Sequence, residues 1–169
     1  MTDGISLIGM PCSGKTTTAK IIADTLNCKW LDVDQWMNKH ENAKSTSEII
    51  NVRGSDYALN LEQRCVEDND LHGLVLSTPG SIIYTSSLDK LSSQTIIFYL
   101  DTPLDIIKSR LSYDPNNKRG VIGLGKLDLN ELYAERTPLY RKWADHIIDC
   151  ESKDPNEIAD EIIKIYKRN

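Results

Sequence analysis

The sequence predicts an α/β fold in three layers, with a parallel sheet of five strands between helices. Five short apolar runs are separated by segments of helical period. The first run passes through a glycine-rich loop directly into a helix, and polar residues collect just beyond the runs, where the carboxyl ends of parallel strands hold ligands. A length of 169 residues suits one domain with a single core, so residues 1–169 are read as one unit.

The first strand ends in Ile5, Leu7 and Ile8, and Gly9-Met10-Pro11-Cys12-Ser13-Gly14-Lys15-Thr16 then fits GxxxxGK followed by Ser or Thr at each fixed position. This is a P-loop. Its glycines let the backbone turn so that several N–H groups point into one hollow, and the helix beginning near Lys15 aims its positive end at the same place. Lys15 is placed to reach the β- and γ-phosphates of a nucleotide, and the Thr16 hydroxyl to ligate the magnesium ion that bridges them. Cys12 has two readings: a thiol activated by the loop amides and Lys15, or a small residue filling a loop position, which is favoured.

In the helix that follows, Ala19, Ile22, Ala23 and Leu26 recur at helical spacing and Asn27 is a stop signal. A strand from Lys29 to Val33 carries Asp32 and Asp34 at its end; both are candidate ligands, though helix starts also favour Asp. Ser45 and Glu48 form a capping-box pattern for a helix running to about Asp70, with a break near Gly54. Gly73 precedes the strand Leu74-Val75-Leu76, which ends at the turn Ser77-Thr78-Pro79-Gly80-Ser81. The fourth strand spans Thr95 to Leu100. Thr102 then reads as a cap, with Pro103 at the first helical position and Asp105 in the first turn.

Residues 112–126 hold Pro115, Asn116, Asn117, Gly120, Gly123 and Gly125 with few apolar anchors, which predicts a mobile loop able to cover the site. A helix from about Leu129 is expected to be interrupted near Thr137-Pro138, because proline lacks a donor and crowds the preceding turn. A last strand, His146 to Asp149, leads to a helix whose start is marked by Asp154, Pro155 and Glu157.

The composition, 40% apolar and 27% charged, is that of a globular protein. A net charge of -5 lacks the basic surplus of a general nucleic-acid binder, and no apolar run is long enough to cross a bilayer. No nucleic-acid or membrane partner is expected, and the chain is read as a cytoplasmic monomer. Cys12, Cys28, Cys65 and Cys150 are scattered without ligand spacing, so reduced thiols are expected. His40, His72 and His146, and Trp30, Trp36 and Trp143, read as surface or packing residues.

Several ordered motifs accompany the P-loop: Leu31-Asp32-Val33-Asp34; Arg53 with an acid three residues on; Thr78-Pro79-Gly80-Ser81; Tyr99-Leu100-Asp101-Thr102-Pro103-Leu104; Arg110-Leu111; and Glu135-Arg136-Thr137-Pro138-Leu139-Tyr140 before Ala144-Asp145. In order and spacing the chain resembles the shikimate kinases over nearly its full length. The resemblance implies a small P-loop kinase with a five-stranded parallel sheet, a mobile lid at about 112–126 and an acceptor-binding region at about 34–70.

By that resemblance, Gly9, Met10, Pro11, Cys12, Ser13, Gly14, Lys15, Thr16 and Thr17 hold the nucleotide phosphates, and Arg110 and Pro155 flank the adenine. Magnesium falls to Thr16 and, mostly through water, Asp32. Asp34 holds the acceptor hydroxyl, as an orienter first and a base second. Arg53 and Arg136 grip the acceptor carboxylate with their guanidinium forks, beside Pro79 and Gly80. Arg119, in the lid, closes on the transferred phosphate, which makes Lys15, Asp34 and Arg119 the candidate catalytic residues. Taken without the resemblance, Arg53 also fits a solvated helix residue, Arg136 a carbonyl cap and Arg119 a solubilising loop residue.

Three departures fall mostly on the acceptor side. Three glycines in the family become Pro79-Gly80-Ser81; Phe-Arg-x-x-Glu becomes Val52-Arg53-Gly54-Ser55-Asp56; and Arg-Pro-Leu-Leu of the lid becomes Arg119-Gly120-Val121-Ile122. The expected partners are ATP and a small anionic hydroxyl acceptor, with shikimate leading. A kinase for another polyhydroxy acid such as gluconate, or a nucleotide-binding regulator without transfer, are the alternatives.

Overall fold

The computed structural model describes residues 3–112, 120–124 and 126–168 of the protein. Five strands form one parallel sheet in the order β2-β3-β1-β4-β5: β1 (Gly4–Ile8), β2 (Lys29–Asp32), β3 (Leu74–Ser77), β4 (Thr95–Asp101) and β5 (His146–Asp149). The three-layer fold expected from the sequence is observed. β1 lies at the centre and is buried throughout, as a parallel strand covered on both faces should be.

Alternation along β1 divides the core in two. Ile5 and Leu7 face one layer, built on α1 (Lys15–Leu26) and α8 (Pro155–Tyr166) through Ala19, Ile22, Ile158 and Ile162. Ile8 faces the other, where Val33, Ile49, Leu61, Leu91 and Tyr140 come from α2 (Val33–His40), α3 (Thr46–Arg53), α4 (Ser55–Glu67), α5 (Ser87–Gln94) and α7 (Leu129–Trp143). Ile107 of α6 (Leu104–Ser112) joins that second cluster. From β1 the chain builds β2 and β3 on one side and then crosses to β4 and β5 on the other. The crevice at the carboxyl end of β1 is therefore the switch point of the sheet, where ligands of such folds bind.

Most element ends follow the sequence signals. Asn27 takes the left-handed conformation that stops α1 (φ 50°), Ser45 caps α3 by accepting the Glu48 amide, and Gly54 (φ 88°) separates α3 from α4. Asp154 and Glu157 close a capping box on α8.

Four expectations need correction. β2 stops at Asp32, because its carboxylate accepts the Gln35 amide at 3.0 Å and starts α2 with no intervening loop. The turn after β3 continues into a 3-10 helix, Gly80–Tyr84. Pro103 is not the first helical residue; its carbonyl accepts the Ile107 amide, which makes it the residue before α6. α7 runs unbroken through Pro138. A proline inside a helix costs about 3 kcal/mol, but the Asp128/Glu131 capping box and the burial of Leu132, Arg136 and Tyr140 hold both halves in line.

The expected lid lies mostly outside the described residues, and so do Lys118 and Arg119. Its described part, 120–124, is packed down: Ile122 is buried, and a Cβ on Gly120 (φ 56°) would come within 2.5 Å of the Ser47 amide nitrogen. Among the described residues no helix is long and apolar enough to cross a membrane.

Candidate active site

A cleft of about 660 Å³ opens at the carboxyl ends of β1, β2 and β3. One end is made by the loop after β1. Gly9 (φ 145°) has no room for a side chain, since a Cβ would lie 2.9 Å from the Leu100 carbonyl, and Gly14 (φ 96°) turns the chain into α1. Between them Cys12 takes a left-handed conformation (φ 63°) while nearly buried, which fits a loop-filling role better than an open thiol. Arg110 reaches over from α6 and donates to the Cys12 carbonyl at 2.9 Å. Pro11, Cys12, Gly14, Lys15, Thr16 and Thr17 line this end, as do Arg110 and Pro155.

Gly9, Met10 and Ser13 form the backing of the loop. They hold Lys15: its Nζ donates to the carbonyls of Gly9 (2.9 Å) and Met10 (2.7 Å) and to Ser13 Oγ (3.2 Å). Burial pushes the Lys15 pKa down to about 8, against the pull of Asp34, Cys12 and Asp32. A buried cation with a lowered pKa is a site prepared for an anion. Beside it the Thr16 hydroxyl donates to Asp32 Oδ2 at 2.6 Å and lies 3.3 Å from Ser77 Oγ. This group of hard oxygens suits magnesium. Among the described residues no three His, Cys, Asp or Glu side chains gather as metal ligands.

The other end is built from side chains. Asp34, on the first turn of α2, accepts the Thr46 hydroxyl at 2.9 Å. Arg136, on α7, is 1% exposed, yet it lines the cleft. Its Nη2 donates to the Ile122 carbonyl at 2.6 Å, its Nε donates to the Tyr84 hydroxyl at 3.2 Å, and the Tyr84 hydroxyl in turn donates to Glu135. Gly80 is closely packed: a Cβ would stand 2.8 Å from Arg136 Nη1 and 3.2 Å from the Tyr140 hydroxyl, which donates to the Gly80 carbonyl at 2.6 Å. Pro79 and Gly80 both line the cleft, as expected.

Arg53 does not join them. Its guanidinium lies over the Tyr57 ring, donates to the Tyr57 hydroxyl at 3.2 Å and sits 3.7 Å from Glu41, with about half of the side chain exposed. A further acid that faces the cleft is Glu62, which the sequence reading missed along with Asn38, Lys44 and Thr46. Glu62 lies on the buried face of α4 with Ala58, Leu61, Cys65 and Val66. A lone acid inside that apolar stripe was the available signal.

A switch-point cleft with a P-loop at one end and a pocket of polar side chains at the other defines the class of P-loop small-molecule kinases. The model of the shikimate kinase family matches residues 11–167, and the chain belongs to that family. It is 32% identical to the shikimate kinase of Persephonella marina over 161 residues, covering 94% of this chain and 96% of that one. It is also 32% identical to human threonine synthase-like 1 over 167 residues, which is 97% of this chain and 22% of that protein. Among solved structures, shikimate kinase from Acinetobacter baumannii in complex with shikimate superimposes with a TM-score of 0.88 at 25% identity, covering 100% of this chain and 95% of that chain. The protein is an ATP-dependent small-molecule kinase.

Proposed function

We propose that the protein transfers the γ-phosphoryl group of ATP to a hydroxyl of a small carboxylate metabolite. Shikimate, giving shikimate 3-phosphate, stands first by likeness to the relatives. The observation that carries the reading is Arg136, a buried guanidinium facing the cleft across from the P-loop with Asp34 nearby. A fork of this kind is suited to a carboxylate.

Lys15 and the loop backbone receive the β- and γ-phosphates, and Arg110 and Pro155 bound the space for the base. Magnesium, held by Thr16 and Asp32, would neutralise phosphate charge when bound. Asp34 orients the acceptor hydroxyl toward phosphorus. As the bond from the γ-phosphorus to the bridging oxygen breaks, ADP leaves with the electron pair; the hydroxyl oxygen bonds to phosphorus, and its proton passes by way of Asp34 to solvent. Because such transfers are loose and charge is spread over the phosphoryl oxygens, positioning and charge stabilisation supply most of the rate. Arg119 is proposed, on the family resemblance, to add its charge from the lid.

Coupled ADP release against shikimate, quinate, gluconate, homoserine and nucleoside monophosphates tests the reading. The expected result is turnover that depends on a carboxylate acceptor. ATP binding without turnover on any of them, or a best substrate lacking an anionic group, overturns it.

A further inference from the structure

Glu62 is 1% exposed and lines the acceptor end of the cleft. Its Oε1 accepts the Ser81 hydroxyl at 2.5 Å, while Oε2, also buried, has no hydrogen-bond partner. Among the described residues no lysine or arginine forms an ion pair with it. Arg136 is turned onto Ile122 and Tyr84, Arg53 lies outside the cleft, and Lys44 is exposed at the rim. The groups that face Glu62 are Asp34 from α2, Arg136 and Tyr140 from α7, and Ser81. Only one of the four is a cation, Arg136, and it donates to Ile122 and Tyr84 without forming an ion pair with Glu62.

Buried carboxylates are ordinarily paired, so the missing partner is sought in the ligand. Resting on the kinase reading above, we propose that Glu62 is an acceptor-specificity residue that receives an ammonium group, so that the acceptor is a small hydroxylated amino acid. Its carboxylate lies on Arg136, its ammonium on Glu62 and its hydroxyl on Asp34. A protonated amine has no lone pair with which to attack phosphorus, so transfer stays on oxygen. Burial pushes the Glu62 pKa up to about 8, with Asp34 adding to the rise and Ser81 and Arg136 opposing it. Burial thus favours the neutral acid in the empty cleft, and an arriving ammonium favours the carboxylate.

The experiment compares ADP release with homoserine, with its nitrogen-free analogue γ-hydroxybutyrate and with shikimate. Homoserine is expected to exceed γ-hydroxybutyrate in kcat/KM by roughly 10-fold to over 100-fold, the range of a charge-assisted hydrogen bond. Glu62→Gln should erase most of that difference through KM, with ATP affinity unchanged. Calorimetry near pH 7 in buffers of different ionisation enthalpy should show proton release when homoserine binds the wild-type protein. The comparison of homoserine with γ-hydroxybutyrate uses the wild-type protein alone and decides the matter even if the variant does not fold. Equal or better turnover of shikimate or γ-hydroxybutyrate overturns the ammonium assignment and leaves the kinase reading standing. No ADP release with any acceptor overturns both.

Discussion

At the P-loop end of the cleft most of the lining groups come from one short stretch, Pro11 to Thr17, shaped by backbone turns at Gly9, Cys12 and Gly14. At the acceptor end Asp34, Glu62, Gly80, Ser81 and Arg136 come from α2, α4, the 3-10 turn and α7 and act mainly through side chains. A backbone cradle depends on conformation and tolerates many side chains. A pocket of single side chains from distant elements can be re-specified by one substitution. The first end fixes what is donated, and the second what receives it.

The largest expected effect is at the cradle. Lys15→Ala should lower kcat by roughly 10³-fold or more, the loss typical of a transition-state charge, with a native circular-dichroism spectrum. Near-normal turnover would remove the functional basis of the comparison. Next is Gly80→Ala, whose methyl group would displace Arg136 and Tyr140. Misplacement on the ångström scale costs about 10²-fold, so acceptor kcat/KM should fall by that order while ATP affinity holds.

Arg136→Ala should raise the acceptor KM by roughly 10-fold to over 100-fold. It should also destabilise the protein by about 1 to 3 kcal/mol, through the unpaired Ile122 carbonyl. An equal rise in the KM for ATP would mean that the two ends are not separate.

A smaller effect is one of pH. The Glu62 pKa is pushed up from 4.5 to about 8, so between those values the folded chain holds more protons than the unfolded one, and its contribution to stability falls as pH rises. Lys15, pushed down from 10.5 to about 8, acts in the opposite sense above that point, where the unfolded chain holds more protons and stability rises with pH. Thermal melts of the ligand-free protein should therefore fall as pH rises from about 4.5 toward 8, and Glu62→Gln should flatten that limb. Arg53→Ala comes last, with a change in acceptor KM of no more than about two-fold, as for surface positions away from a site. A ten-fold rise would restore Arg53 to the acceptor end.

The same contrast decided what could be read from the chain. The P-loop was legible because its chemistry is contiguous and its glycines are required by geometry, and the strands because each is a buried apolar run. Asp34 and Arg136 came from ordered motifs. Glu62 did not, because a glutamate within a helix looks solvated until the helix's buried face is known, and Arg53 took its place by lying three residues before an acid. Asp32 read as a strand end and proved also to be the cap of α2, one carboxylate serving both. Pro138 carried a true local signal, a missing donor, which the burial of Arg136 and Tyr140 outweighed.

Arg136 is shared property. The guanidinium that faces the cleft also holds the carbonyl of Ile122, and so anchors the segment 120–124 against α7. Binding equilibria that draw on one group are thermodynamically linked, and the coupling is reciprocal. An acceptor that loosens the bond to Ile122 weakens the anchorage of that segment, and a substitution that locks the segment down lowers acceptor affinity by the same factor.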